Sequence, residues 1–202
     1  MTTPTGTFFG LLDFARLVVD ALEAAGAQYM LGGALAVAAW AEARSTQDVD
    51  LVVSLPLERF QSLSAELAKR DMLVPVEIIL ETYIENRADI PLNAIHIHSG
   101  YKAELFLLRP GDALRESAFA RRALADLGEP LGPMYVHAPE DLILYKLRYF
   151  SLSQQPKHIR DIASMMLALE VEIDQSYITA WADQLGLTEL WGEVRRQVEE
   201  RS

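Results

Sequence analysis

The run Asp48-Val49-Asp50-Leu51-Val52-Val53 constrains this chain more than any other stretch. Its β-branched residues favour an extended backbone, and in a strand alternate side chains share a face. Asp48 and Asp50 therefore point one way, while Val49, Leu51 and Val53 point the other way, toward a core. Two carboxylates one pleat repeat apart repel each other unless a cation sits between them. Hard divalent ions such as Mg²⁺ take oxygen ligands, often one or two carboxylates plus substrate phosphates. Taken alone, the triplet fits equally the free occurrence of Asp at solvent-facing strand ends.

The surrounding pattern predicts a mixed α/β half followed by a helical half, an α+β chain. Phe9 to Ala25 has apolar positions at helical spacing, with Gly26 as a stop signal. The run Gln28-Tyr29-Met30-Leu31 reads as a strand that ends at Gly32-Gly33, and Ala34 to Ala43 is a helix by propensity. After the acidic strand, Pro56 suits the first turn of a helix reaching about Arg70. A short helix is expected around Val76 to Asn86. Two strands, Asn93 to His98 and Lys102 to Leu108, are separated by a turn at Ser99-Gly100. From Asp112 onward the pattern is helical apart from a Gly/Pro-rich connection and the short Tyr135-Val136-His137. Helices are expected after Pro139 and Pro156, then over Ser176 to Gly186 and Leu187 to Glu200. The expected division is an α/β core over residues 1–110 and a mainly helical region over 111–202.

Composition narrows the function. The chain has 202 residues, 50% hydrophobic and 23% charged, which supports a buried core and argues against disorder. Cysteine is absent, so disulfides and thiolate zinc sites are excluded. No leader of signal-peptide type opens the sequence and no apolar run reaches spanning length, so a cytoplasmic protein without a membrane partner is expected. Eighteen Lys plus Arg face 29 Asp plus Glu, a formal net charge of −11. Such a surface disfavours general attraction to nucleic acid, whose binding rests on phosphate neutralisation. Basic residues do gather in the second half (Arg109, Arg115, Arg121, Arg122, Lys146, Arg148, Lys157, His158, Arg160), either as ordinary helix-surface charge or as one local groove.

Three further elements carry chemistry. Gly32-Gly33 lies between a strand and a helix, where free backbone N–H groups favour an anion and glycine lets the backbone approach closely; a tight turn explains the pair as well. Glu104 shares a strand face with Lys102, Phe106 and Leu108, and a carboxylate beside apolar neighbours costs free energy unless paired or metal-bound. If its strand lies beside the acidic one, three carboxylates converge; an exposed Lys102–Glu104 pair is the alternative. Lys146 stands in a helix that is apolar nearly all round, so a phosphate or a carboxylate should meet its ammonium. Asp161, near the start of the next helix, is the candidate carboxylate, unless the lysine snorkels to the surface. His96-x-His98 fits ordinary strand alternation, since a zinc site needs ligands the sequence does not show.

In order, these pieces read Gly-Gly, helix, Arg44-x-Thr46-x-Asp48-x-Asp50, a third carboxylate on a later strand, Glu140-Asp141-Leu142 with Lys146, and Arg160-Asp161-Ile162. The order resembles the nucleotidyltransferase superfamily, and more narrowly the AbiEii/AbiGii-type proteins of abortive-infection and toxin–antitoxin systems, over roughly Gln28 to Ala163. The resemblance implies a nucleotidyltransferase-like core with a mixed sheet flanked by helices, followed by a helical bundle. It implies Mg²⁺- or Mn²⁺-dependent transfer of NMP from an NTP to an acceptor, with tRNA and a cognate antitoxin among the partners. Asp48, Asp50 and Glu104 would be the metal carboxylates. Gly32, Gly33, Arg44, Thr46 and Lys146 would contact the nucleotide, and Asp161 would organise the site. Many relatives carry Gly-Ser where this chain has Gly32-Gly33, and their third carboxylate is often Asp. A small-molecule acceptor and a non-catalytic nucleotide- or partner-binding module are the other readings.

Overall fold

The computed structural model describes residues 9–42, 44–85, 89–169 and 172–200, and within them the chain forms six strands and nine α-helices. It divides into two compact units: residues 1–29, 47–108 and 128–132 form the first, and 30–46, 109–127 and 133–202 the second. The chain crosses between them after residues 29, 46, 108, 127 and 132.

In the first unit α1 (Leu11–Ala24) buries Phe14, Ala15, Val18, Val19, Ala21 and Leu22 and packs on α3 (Phe60–Ala68) and β2 (Asp48–Ser54). Each large apolar side chain fully buried this way contributes about 2 kcal/mol. Asp13 accepts the Gly10 N–H at 2.8 Å and so tidies the start of α1. Three strands lie side by side, with β4 (Lys102–Leu107) parallel to β2 and antiparallel to β3 (Leu92–Ile95). The β3–β4 connection is longer than a two-residue turn, because His96 pairs with Met72 before the chain reverses. The helix expected from Pro56 is a 3-10 turn, Leu57–Arg59, followed by α3, and α4 (Val76–Ile84) covers β3.

In the second unit β6 (Pro133–Val136) runs parallel to β1 (Gln28–Leu31), pairing Leu31 with Val136, and antiparallel to β5 (Ala123–Asp126). β5 is a correction: Ala-Leu-Ala-Asp reads as helix by propensity, and only its ladder to β6 makes it extended. The helix expected over 34–43 is also shorter, because α2 (Gly33–Val37) ends after five residues. Its last bonds tighten to the i→i+3 type, and the Trp40 indole donates to the His137 carbonyl at 2.8 Å. Residue 43 lies outside the described residues.

The centre of the second unit is α6 (Pro139–Ser153), whose residues 140–147 are all buried among α2, α7 (Pro156–Ala168), α8 (Gln175–Gln184) and α9 (Thr188–Glu199). Pro139 and Pro156 each stand in the first turn, where a missing N–H costs nothing. Asp112 caps α5 (Ala113–Ala120), and Asp174 caps α8. Among the described residues no helix is long and apolar enough to cross a membrane.

Candidate active site

The parallel register of β2 and β4 sets Asp48 opposite Lys102 and Asp50 opposite Glu104. Val49, Leu51, Ala103 and Leu105 are buried, whereas Asp48, Asp50, Lys102 and Glu104 are half-exposed. The alternation thus sends these four polar side chains to one face of the strand pair. The Lys102 ammonium lies 2.6 Å from Glu104 Oε1 and 3.3 Å from Asp48 Oδ1. The pairing of Lys102 with Glu104 therefore exists, and Asp48 joins it across the ladder. The ammonium is held above the ordinary lysine range, chiefly by its hydrogen bond to Glu104, with Asp48 adding to the effect.

Among the described residues, no three of His, Cys, Asp and Glu are gathered into a ready-made metal-ligand set. The donors nevertheless suit a hard divalent ion. They are carboxylate oxygens on adjacent strands, open to solvent, and two of them already share one cation, the Lys102 ammonium. Mg²⁺ needs only one or two protein carboxylates when phosphates and water complete its shell.

In the second unit Asp161 accepts hydrogen bonds from two cations. The Arg44 guanidinium grips it with a fork, Nε to Oδ1 at 2.8 Å and Nη2 to Oδ2 at 3.1 Å. Lys146 Nζ lies 2.7 Å from Oδ2, with the lysine and aspartate side chains 7% and 4% exposed. Burial pushes the Asp161 carboxyl up, but the Arg44 hydrogen bonds and the Lys146 charge outweigh it and leave its pKa below the usual range. The carboxylate demanded by a lysine in an all-apolar helix is thus Asp161. Arg44, the other partner, comes from the segment after α2 and has its charge half-open to solvent.

Gly32 caps α2 in extended conformation, and Gly33 takes φ +59°, the left-handed region. Any L side chain at Gly33 would be strained there by about 1–2 kcal/mol. Thr46 is half-buried in the approach to β2. His96 and His98 do not form a ligand set: His96 Nδ1 bonds Ser99 Oγ at 2.8 Å, and His98 Nε2 lies 3.5 Å from Asp71.

The structure gives partners to several polar groups that the sequence reading leaves without a role of their own. Glu140 and Asp141, in the first turn of α6, are buried and clamped by Arg121, with Tyr177 donating to Asp141 at 2.8 Å. Burial raises the Asp141 carboxyl despite those bonds. His137 is fully shielded, and burial, with the Arg115 and Lys146 charges, lowers its pKa to about 4. His158, one turn before Asp161, is also lowered to about 4, by burial and then by Lys146 and Lys157. The signal for Asp141 lay in its place at the start of an all-apolar helix; nothing in the sequence marks His137.

No protein-family model matches the sequence, and no curated protein matches it significantly. The fold does match solved structures. The solution structure of the antibiotic-resistance factor ANT(2'')-Ia is similar with a TM-score of 0.60 and 15% identity, covering 90% of this chain and 96% of that one. The crystal structure of ANT(2'')-Ia with adenylyl-2''-tobramycin gives 0.57 and 15%, covering 86% of this chain and 98% of that one. An antigenic nucleotidyltransferase-like protein from Paracoccidioides brasiliensis gives 0.52 and 17%, covering 93% and 92%. The chain therefore has a nucleotidyltransferase-like fold.

Proposed function

We propose that this chain is a divalent-metal-dependent nucleotidyltransferase that transfers NMP from an NTP to a hydroxyl of a small cationic acceptor. The observation that carries the reading is the register of β2 on β4, which sets Asp50 against Glu104 with Asp48 on the same face, in a chain with this fold. Asp48 and Asp50, with Glu104, would hold Mg²⁺ or Mn²⁺. When bound, the metal neutralises the phosphate charge that grows on the leaving pyrophosphate.

The chain's own residues supply the rest. The acceptor oxygen attacks the α-phosphorus, the bond to the bridging oxygen breaks, and pyrophosphate leaves. Glu104 helps to hold the metal or, in its place, takes the proton released by the acceptor hydroxyl. Lys146 and Arg44 offer positive charge to the phosphates, and Asp161 orients both cations by accepting from each. Gly32 and Gly33 offer backbone N–H groups, and Thr46 a hydroxyl, to the nucleotide. Positioning and charge stabilisation then account for most of the acceleration.

Two observations support a small cationic acceptor over tRNA. The net charge is −11, which attracts cations and repels nucleic acid. Part of the basic charge of the second half is also engaged internally: Arg115 with Asp112, and Arg121 with Glu140 and Asp141. ANT(2'')-Ia, seen with an adenylylated tobramycin, offers a parallel in the same fold.

The test incubates the protein with each α-labelled NTP, Mg²⁺ or Mn²⁺, and either an aminoglycoside panel or total bacterial RNA, beside the Asp48→Ala/Asp50→Ala variant. Label on an aminoglycoside, lost in the variant, is the expected result. Label on tRNA would return the acceptor to the toxin-like reading. Tight NTP binding with no transfer to any acceptor would mark a non-catalytic module and sink the proposal.

A further inference from the structure

We propose that Lys102 is a built-in counter-ion that competes with the divalent cation for Asp48 and Glu104, so that metal loading requires displacing an ammonium of the chain itself. This rests on the nucleotidyltransferase reading, which gives those carboxylates to a metal. The register puts Lys102 directly opposite Asp48, two residues before Glu104 on the same strand face. From there its ammonium reaches both acids, at 3.3 and 2.6 Å. A Mg²⁺ ion would take the same carboxylate oxygens, and a neighbouring ammonium would repel it by like charge.

The two cations therefore exclude each other at these oxygens. Lys102 is able to yield, because its side chain is a flexible stem, 33% exposed, whose head can turn to water. Without metal, the ammonium relieves the mutual repulsion of Asp48 and Glu104. With metal, that role passes to the ion. The consequence is a weaker intrinsic metal affinity than three unblocked carboxylates would have.

The experiment measures Mn²⁺ binding without nucleotide, from the electron paramagnetic resonance signal of the free ion. It compares the wild-type chain, Lys102→Met, Lys102→Arg and Lys102→Met/Asp48→Asn. Circular dichroism melts verify folding, and Lys102→Gln replaces the Met variant if that fails to fold. Removing the ammonium should tighten Mn²⁺ binding by about ten-fold. Lys102→Arg should stay near wild type, and adding Asp48→Asn should erase the gain. Mn²⁺ should also raise the melting temperature more in Lys102→Met than in wild type.

Equal or weaker binding in Lys102→Met would overturn the proposal. If wild type nevertheless released pyrophosphate from an NTP, the nucleotidyltransferase reading would stand without it. Tighter binding in Lys102→Met with no NTP turnover by any of the proteins would uphold the counter-ion and sink the transferase. Absence of Mn²⁺ binding in every protein would overturn the counter-ion, and the transferase as well only if no NTP were turned over.

Discussion

The acidic strand pair of the first unit and the Asp161 cluster of the second handle charge in opposite ways. On β2 and β4 three carboxylates and one ammonium stand half-open to water. Around Asp161 one buried carboxylate is shared by two cations, with base in excess. Exposed charge is exchangeable, because water and free ions compete for it at low cost. Buried, hydrogen-bonded charge is locked, because separating it leaves an ion without solvent. The first arrangement suits a site that must load and release a cation. The second suits a fixed positive surface that must not reorganise when an anion arrives.

Four substitutions or titrations would break or sharpen this contrast. The largest effect belongs to the open site. Asp50→Ala should reduce NTP turnover by about a thousand-fold or more, since a metal ligand carries several kcal/mol of charge stabilisation. Its melting temperature should stay close to wild type. Wild-type pyrophosphate release would remove Asp50 from the chemistry.

The locked cluster should answer in stability instead. Asp161→Ala strands the buried Lys146 ammonium and should cost about 3–5 kcal/mol in urea unfolding. The double variant Asp161→Ala/Lys146→Met should regain much of that loss. If the single variant were as stable as wild type, the cluster would not be locked as described.

pH gives a third handle. In the folded chain His137 stays neutral down to about 4, while in the unfolded chain it titrates at its ordinary 6.5. The unfolded state therefore binds the extra proton between these values, and stability must fall as pH drops from 6.5 toward 4. The loss attributable to His137 is up to about 3 kcal/mol. The variant His137→Gln should flatten that part of a melting-temperature-against-pH curve; an unchanged slope would assign it to other groups.

Gly33→Ala should have the smallest effect, about 1–2 kcal/mol of destabilisation from the left-handed backbone. Gly33→Ser imposes the same strain while adding a hydroxyl. If the serine variant binds NTP more tightly despite its lower stability, the chain lost a phosphate contact to a backbone constraint. Equal NTP affinity in the two variants would mean that the hydroxyl has no role here.

Much of this molecule is legible in the sequence where chemistry is local. Strand β2 and its two-faced alternation follow from Asp-Val-Asp-Leu-Val-Val alone. Pro139 and Pro156 mark helix starts in the first turn itself. Lys146, an ammonium in a nearly all-apolar helix, calls for an anionic partner unless it snorkels to the surface, and Asp161 is that partner. Where the reading failed, the missing information was distant. Ala123 to Asp126 became a strand by pairing with residues 133–136. The helix after Gly33 stopped at Val37, near a Trp40 indole that bonds residue 137.

The sequence by itself determined which residues must be extended, which face of β2 carries acid, and which lysine needs a carboxylate. Those follow from side-chain periodicity and from the cost of burying unpaired charge. Only the tertiary structure decided the parallel register that puts Lys102 opposite Asp48 and Glu104 opposite Asp50. It alone decided that Arg44 shares Asp161 with Lys146 and that Gly33 is left-handed. Register and shared partners are relations between segments distant along the chain, set by how the core packs, and no local pattern of residues encodes them.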